Sequence, residues 1–584
     1  VLADDGGVAE AWLGRRAGEP LCVRRFDEQD ALPGAGRFAW LDTLDLANSP
    51  GILCLWPLDT PAIAGMDGEA VLAAQERGVA TVIALVQAVA RCAGPLPRIW
   101  IATRGAQAVT VGDAVAGLAH SSIWGLAAAV AREHPRAWGG IIDLHPDLAP
   151  AAAAAGLEDL LRAPRGEDQV ALRAGIRYVR RLVRASLQPA RTQFRISGDG
   201  AYLIAGGLGG LGLTVARWLV ERGARHLLLL GRSKRDADDP LLAGLAARGA
   251  TVDYRTADLG DAAALERVLR DWQASDRSRI RGVVHAAGVF HDQPLEAITP
   301  EDLDAGLRAK VVGAHTLDRV LGDLPLDFFL LFSSFSGLTP PAGQAVYAAA
   351  CAFLDGLAER RRADGRTALS IDWGAWSEVG FAATDYGQRA HAQLEEAGMK
   401  RMTPDQGVQV LERLLGSDPP ARVGVLPVDL SALARHDALL ARLPILRELL
   451  GEATSEAAQQ SVSATTFLAA LKERDIDGQR ELLLDAMRRI IAGVLKQGLE
   501  RVEVDVRLTK LGLDSLVAVQ FKNRVGRDLG LEISLVDALR GASIATLAER
   551  LLTELRVDVL RAAEPLVGEV LERARAGLRE EFTL

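Results

Sequence analysis

One stretch limits the fold of this chain more than any other: Ala205-Gly-Gly-Leu-Gly-Gly-Leu-Gly212. It follows a short apolar run, Tyr202–Ala205, and opens a run with helical spacing, Leu211–Arg222. Gly206, Gly210 and Gly212 give GxxxGxG. Gly207, Gly209 and Gly212 also give GxGxxG, with Leu208 and Leu211 between them. A strand that turns into a helix this way needs positive φ and a backbone that lets a pyrophosphate come close. The helix N-terminus then offers free N–H groups and positive potential to the phosphates. The stretch is expected to be the first βα turn of a dinucleotide-binding unit.

The surrounding pattern agrees. His226–Leu230, Gly282–His285, Phe328–Phe332 and Leu369–Trp373 are further apolar runs, and helical patterns such as Ala262–Trp272 fall between them. Buried parallel strands joined by helices look like this, so a doubly wound α/β sheet is predicted. The second strand ends Leu230-Gly-Arg-Ser. Sites for NAD usually place a carboxylate here for the ribose 2′-hydroxyl, whereas Arg232 and Ser233 suit a 2′-phosphate, so NADPH is the expected cofactor. Asp258 and Leu259 lie beyond the third candidate strand, where an adenine contact falls. Ala286, Ala287 and Gly288 end the fourth, where small residues let a cofactor lie flat.

An earlier segment echoes this one. Arg98-Ile-Trp-Ile-Ala-Thr-Arg parallels Phe328-Phe-Leu-Leu-Phe-Ser-Ser, and Ile141-Ile-Asp-Leu parallels Ser370-Ile-Asp-Trp. Ser122-Ile-Trp-Gly parallels Val346-Tyr-Ala-Ala, so Trp124 or a neighbour stands where the later copy has Tyr347. The earlier copy has no glycine fingerprint and is read as structural.

Leu331-Phe-Ser-Ser-Phe-Ser-Gly, then Tyr347-Ala-Ala-Ala-Cys, then Asp372-Trp-Gly-Ala-Trp, together resemble the ketoreductase domain of modular polyketide synthases, a branch of the short-chain dehydrogenase/reductases. The resemblance covers residues 1 to about 450. It implies Tyr347 as proton donor and Ser334, thirteen residues earlier, as hydrogen-bond donor to the carbonyl. It implies Lys310 as the lysine that lowers the phenol's pKa and binds cofactor ribose. The chemistry fits these roles, because hydride addition builds negative charge on oxygen that needs both a proton and a donor. The family's Asn, four residues after the Tyr, is Cys351 here, and its Thr before the glycines is Ala205. Val289-Phe-His-Asp-Gln stands in place of the family's Leu-Asp-Asp motif. Asp292 aligns with the diagnostic Asp, while Phe290 and His291 depart from it. The Trp that marks the other stereochemical type is Thr339. These positions imply a B-type enzyme giving a D-hydroxyl. By the same resemblance Trp373 to Met402 is a lid, with Gly374 and Gly380 as hinges.

Leu511-Gly-Leu-Asp-Ser515-Leu resembles the attachment site of acyl and peptidyl carrier domains, over residues 478–555. It implies 4′-phosphopantetheine on Ser515, added by a phosphopantetheinyl transferase. A serine that starts a helix is exposed, and the helix end favours an incoming phosphate. Helical spacing in Glu481–Leu495, Leu516–Val525 and Ile544–Leu552 predicts a small four-helix bundle, with Leu516, Val517, Val519 and Val536 on its core or surface.

The expected organisation is therefore two Rossmann-like halves, 1–192 structural and 193–452 catalytic, then a linker 453–477, a carrier 478–555, and a helical element 556–584 that links or docks. The implied substrate is an acyl chain on the chain's own carrier, with ketosynthase and acyltransferase domains as further partners. A redox-silent scaffold and an iterative fatty-acid-type reductase–carrier are the alternatives.

Bulk properties exclude other classes. The chain has 584 residues and a net charge of −9, so nothing points to nucleic acid. Cysteines at 22, 54, 92 and 351 give no metal or disulfide spacing, and a reducing cytoplasm is the default expectation. The most apolar stretch, Val79–Ala90, is too short to span a bilayer, so no membrane association is expected. With Val1 in place of Met and no signal-peptide pattern, the chain is expected to be a piece of something larger.

Overall fold

A computed structural model describes residues 1–16, 22–25, 51–91, 96–189, 194–380, 398–451 and 467–553, apart from isolated positions that include 290, 291 and 514. Most of the expected lid (381–387, 389–394, 396–397), the Glu452–Thr465 linker and residues 556–584 lie outside it.

The described chain forms two seven-stranded sheets. The first contains β1 (Leu2–Ala3), β2 (Arg24–Arg25), β3 (Gly51–Cys54), β4 (Arg98–Arg104), β5 (Trp138–Leu144), β6 (Gln169–Arg173) and β7 (Ile176–Val179). The second contains β8 (Ala201–Ala205), β9 (His226–Gly231), β10 (Thr251–Thr256), β11 (Ile280–His285), β12 (Phe328–Ser334), β13 (Leu369–Trp373) and β14 (Arg422–Val425). Their orders are β2-β1-β3-β4-β5-β6-β7 and β10-β9-β8-β11-β12-β13-β14. Every pairing is parallel except β6 with β7. The strands of the second sheet read as unbroken apolar runs because most are covered on both faces; β8 and β13 are buried along their whole length.

The expected echo between the halves is present. In each sheet the first strand of the half sits between the second and the next, so β4 and β5 fall where β12 and β13 fall. The order reverses around β8, which pairs with both β9 and β11. Ligands of doubly wound sheets bind in the crevice at such a reversal, beyond the carboxyl ends of the strands.

The halves share one hydrophobic core. It draws Val82, Ile101 and Ile123 from the first half and Leu203, Val311 and Phe353 from the second. At its centre helix α4 (Leu118–Glu133) of the first half packs on helix α11 (Ala345–Ala363) of the second. Gly125 makes this possible: a Cβ there would lie 2.1 Å from the Ala348 carbonyl oxygen. Gly356 does the same from the other side, where a Cβ would meet Ser121 Oγ at 2.3 Å.

After residue 467 the described chain is helical, with helices Ile476–Leu495, Ser515–Leu529 and Leu535–Leu539 and a further helical run at 544–553. Leu483, Met487, Phe521, Val525 and Ile544 form its own core. Ala342 of the second half packs against that core, and Lys522 Nζ donates to the Glu133 carbonyl at 3.1 Å.

Candidate active site

The glycine turn is built as its sequence demands. Gly206 has φ +81°, and a Cβ on it would lie 2.9 Å from the Ala287 amide nitrogen. Gly209 is the residue before helix α6 (Gly210–Glu221), and its amide donates to the Gly206 carbonyl at 3.0 Å. A Cβ on Gly212 would strike that same carbonyl oxygen at 2.1 Å, so α6 approaches β8 only because Gly212 has none. Gly207 is packed over Leu229, and Leu208 and Leu211 lie against the second half's outer core. Gly210 faces the start of the expected lid, where its Cβ would be 2.3 Å from the Gly380 amide nitrogen.

The other positions expected at the cofactor lie beyond the carboxyl ends of neighbouring strands of the same sheet. Arg232 and Ser233 follow β9 and are exposed. The Ser233 carbonyl accepts the Tyr254 hydroxyl at 2.5 Å. Asp258 Oδ1 accepts the Gly260 amide at 2.9 Å, which leaves its carboxylate at the rim, and Leu259 behind it is buried. Ala286, Ala287 and Gly288 lead away from β11, and a Cβ on Gly288 would be 2.8 Å from Lys310 Cε. A cradle of glycines at a strand-order reversal, open beside a guanidinium, fits a dinucleotide.

The first half has the same framework. At the start of helix α1 (Val8–Gly14), Asp4 accepts the amides of Val8 at 3.1 Å and Ala9 at 2.7 Å. Its carboxylate sits on the first amides of the helix that follows β1, where the helix after β8 begins on the glycine turn instead.

The residues expected to react come together beyond β11 and β12. Ser334 ends β12, and Tyr347 is the third residue of α11. The Ser334 hydroxyl hydrogen-bonds to the phenol, and Asp292 is near enough for its charge to raise the phenol's pKa further. Lys310 sits in a π-helical turn, Arg308–Val312, at the end of helix α9 (Pro300–Leu307). That helix starts on a capping box between Thr299 and Asp302, which fixes where the turn falls. The first half has a matching π turn, Glu76–Ala80, whose third residue is Gly78 where the second half has Lys310.

Lys310 Nζ donates to the Phe332 carbonyl at 2.8 Å and lies 5.4 Å from the centre of the Tyr347 ring. Burial, followed by the neighbouring Cys351, pushes the phenol well above its ordinary range. Cys351 is fully buried, and burial pushes its thiol up to about 11, so it faces the phenol as a neutral, weak partner. Ser333 is structural, its hydroxyl donating to the Cys351 carbonyl at 3.2 Å. Ser336 and Gln344 were not singled out in the sequence. Ser336 Oγ donates to Gln344 Oε1 at 2.8 Å and lies 3.3 Å from Ser334 Oγ, so these two set the reacting serine's orientation. Phe290 and His291 lie outside the described residues.

Comparison with known proteins decides the family. A profile described as "KR domain" matches residues 200–378. The "SpnB, Rossmann fold domain" of a polyketide synthase extender module matches 24–182, and "Phosphopantetheine attachment site" matches 485–551. The structure titled "Structure of A-type Ketoreductases from Modular Polyketide Synthase" is 32% identical with TM-score 0.65, covering 76% of this chain and 90% of that one. The chain belongs to the ketoreductase–carrier family of modular polyketide synthases. A C2-type ketoreductase structure has the same TM-score of 0.65, at 32% identity over 77% of this chain and 95% of that one. Among curated proteins, the pikromycin polyketide synthase component PikAIII of Streptomyces venezuelae is 36% identical over 85% of this chain. The chain spans 32% of that protein's length, and less of several others.

The carrier part of this ketoreductase chain places Ser515 at the start of helix Ser515–Leu529, after Gly512 at φ +99°. Ala518, Phe521 and Val525 turn into the carrier core, and Val517 packs against it. The side chains of Ser515, Leu516, Val519 and Val536 lie outside the description. Among the described residues, no helix is long and apolar enough to cross a membrane.

Proposed function

We propose that this chain reduces a β-ketoacyl thioester, carried on Ser515, to the β-hydroxyacyl thioester with NADPH. The observation that carries this reading is the convergence of Tyr347, Ser334 and Lys310 at the strand ends beside an open glycine cradle. Gly206, Gly209, Gly210 and Gly212 would hold the pyrophosphate, Arg232 and Ser233 the 2′-phosphate, and Lys310 the ribose. When bound, the reduced nicotinamide supplies the hydride. Ser334 donates a hydrogen bond to the substrate carbonyl oxygen. Tyr347 gives its proton to that oxygen as it gains negative charge, and solvent reprotonates the phenol. Because burial keeps the phenol neutral, the donor form is present throughout the physiological range.

Support for NADPH over NADH is the exposed Arg232 after β9, in a run, Gly231-Arg-Ser-Lys-Arg235, that holds no Asp or Glu. A guanidinium–phosphate hydrogen bond is worth roughly 1.5–3 kcal/mol. Arg232→Ala should therefore raise KM for NADPH by about tenfold or more and leave KM for NADH nearly unchanged. Equal effects on the two cofactors would count against the assignment.

Asp292 beside Tyr347, and Thr339 in place of Trp, support B-type stereochemistry. Neighbours titled A-type and C2-type are equally similar in fold, so the fold is neutral on this point. Chiral chromatography of the reduced product tests the whole reading, with the D-hydroxyl expected. An L product would overturn the Asp292 assignment, and no product would overturn the reductase. One observation favours a second reading, a redox-silent scaffold with a working carrier: the neutral Cys351 where the family has Asn. A phosphopantetheinyl transferase and the ketosynthase and acyltransferase of the same synthase are the partners this function requires.

A further inference from the structure

Helix α4 of the non-reacting half ends at Glu133, and its carboxylate reaches across to the reacting half. There it divides between two loops. Oε2 accepts the Leu295 amide at 2.9 Å, and Oε1 accepts the Gly343 amide at 2.9 Å. The loops also meet directly, since the Gln293 amide donates to the Gly343 carbonyl at 2.7 Å. The first loop carries Asp292. The second takes a left-handed turn at Gly343, φ +92°, and passes into Gln344, the residue before α11. From Gln344 the contacts continue through Ser336 to Ser334. One carboxylate thus touches the supports of Asp292, Tyr347 and Ser334 while touching none of them. The first half adds a second anchor, Gln87 Nε2, which donates to the carbonyls of Leu295 and Ile298 at 3.0 Å each.

We infer that Glu133 is a positioning residue of the reductase, through which the silent half sets the two loops that flank Tyr347. A carboxylate suits this place. Bonds from amides to an ionised oxygen are shorter and stronger than neutral ones, and two oxygens allow one bond to each loop. Removing it leaves two enclosed N–H groups without an acceptor, which the loops can relieve only by moving. Desolvation raises the pKa of Glu133, and the two amide bonds oppose that rise. His134, Glu296 and Lys522 are the other charged or titratable groups around it. His134 Nε2 and Glu296 Oε1 are 3.3 Å apart, and Lys522 binds the Glu133 backbone.

This rests on the reductase reading, and the test separates the two. Glu133→Ala and Glu133→Gln are made in the full chain. In the Ala variant, amide exchange in peptides covering 292–298 and 341–346 should speed by about tenfold, while β8 and β12 keep their protection. With a diffusible β-ketoester, kcat should fall by roughly 10–100-fold and the diastereomer ratio should erode, as small misplacements near a reacting centre do. KM for the nicotinamide cofactor should stay within about twofold, because the cradle does not touch Glu133. The Gln variant, which keeps an acceptor oxygen, should recover most of both readouts. Unchanged exchange in the two loops would overturn the proposal. So would faster exchange with unaltered kcat and product ratio, or faster exchange everywhere with no rescue by Gln. If the unaltered protein turns over no ketone, the reductase reading fails, and the exchange data alone decide whether Glu133 holds the loops.

Discussion

Tyr347→Phe is expected to lower ketone reduction by roughly 10²–10⁴-fold, the usual contribution of a positioned general acid. The phenyl ring keeps the packing of α11 against β12, so the fold should be retained. The lost hydroxyl is the proposed proton donor beside Ser334, so kcat should fall while cofactor binding, read by quenching of protein fluorescence, stays near wild type. Loss of the reduced nicotinamide's absorbance with a diffusible ketone gives the rate without any need for a loaded carrier. If wild type shows no turnover and the variant is no slower, the redox-silent reading stands and the reductase reading falls. Cys351 gives this outcome a specific cause, because a neutral thiol cannot replace the hydrogen bonds of a carboxamide.

Ser515→Ala should abolish loading altogether. Intact mass after incubation with coenzyme A and a phosphopantetheinyl transferase should rise by one arm in wild type and not at all in the variant. Reduction of a diffusible ketone should be unaffected, since Ser515 starts a helix of the carrier part and Tyr347 belongs to α11 of the second half. A mass gain that survives the substitution would place the attachment site elsewhere. With a loaded arm, the tether replaces bimolecular encounter by a high local concentration, so its removal should weigh more on a carrier-borne substrate than any surface substitution.

The sequence made local features legible and long-range ones not. The glycine turn could be read because φ and close approach act within a few residues of Gly206. The runs that became β8, β9, β11, β12 and β13 could be read because strands covered on both faces are continuously apolar. The edge strand β10 has no fully buried residue and intersperses Asp253 and Arg255 with Val252 and Tyr254, and β14 is only Arg422–Val425, so neither gives that signal. Tyr347 and Ser334 are bound to one another by spacing, whereas Ser336 and Gln344 matter only once the loop between them has closed. Glu133 carries no local mark at all, because its partners are more than 160 residues away. Lys310 depends on a longer-range feature too: the π turn that carries it brings its ammonium to a carbonyl of β12, 5.4 Å from the Tyr347 ring centre. Asp4 likewise has meaning only beside the other half, where the helix after the first strand begins on glycines and not on a carboxylate.

The seam between Gly125 and the Ala348 backbone bears on how such synthases can be recombined. At that seam a helix of one half rests directly on the main chain of the other, with no side chain to adjust the fit. A crossover in the segment joining the halves would set an inherited groove against a foreign ridge, just where Tyr347 is carried. Residues from β1 to β14 are therefore expected to transplant as one folded unit, and exchange of the second half alone should give grafts that fold poorly, seen as a lower melting temperature than that of either parent.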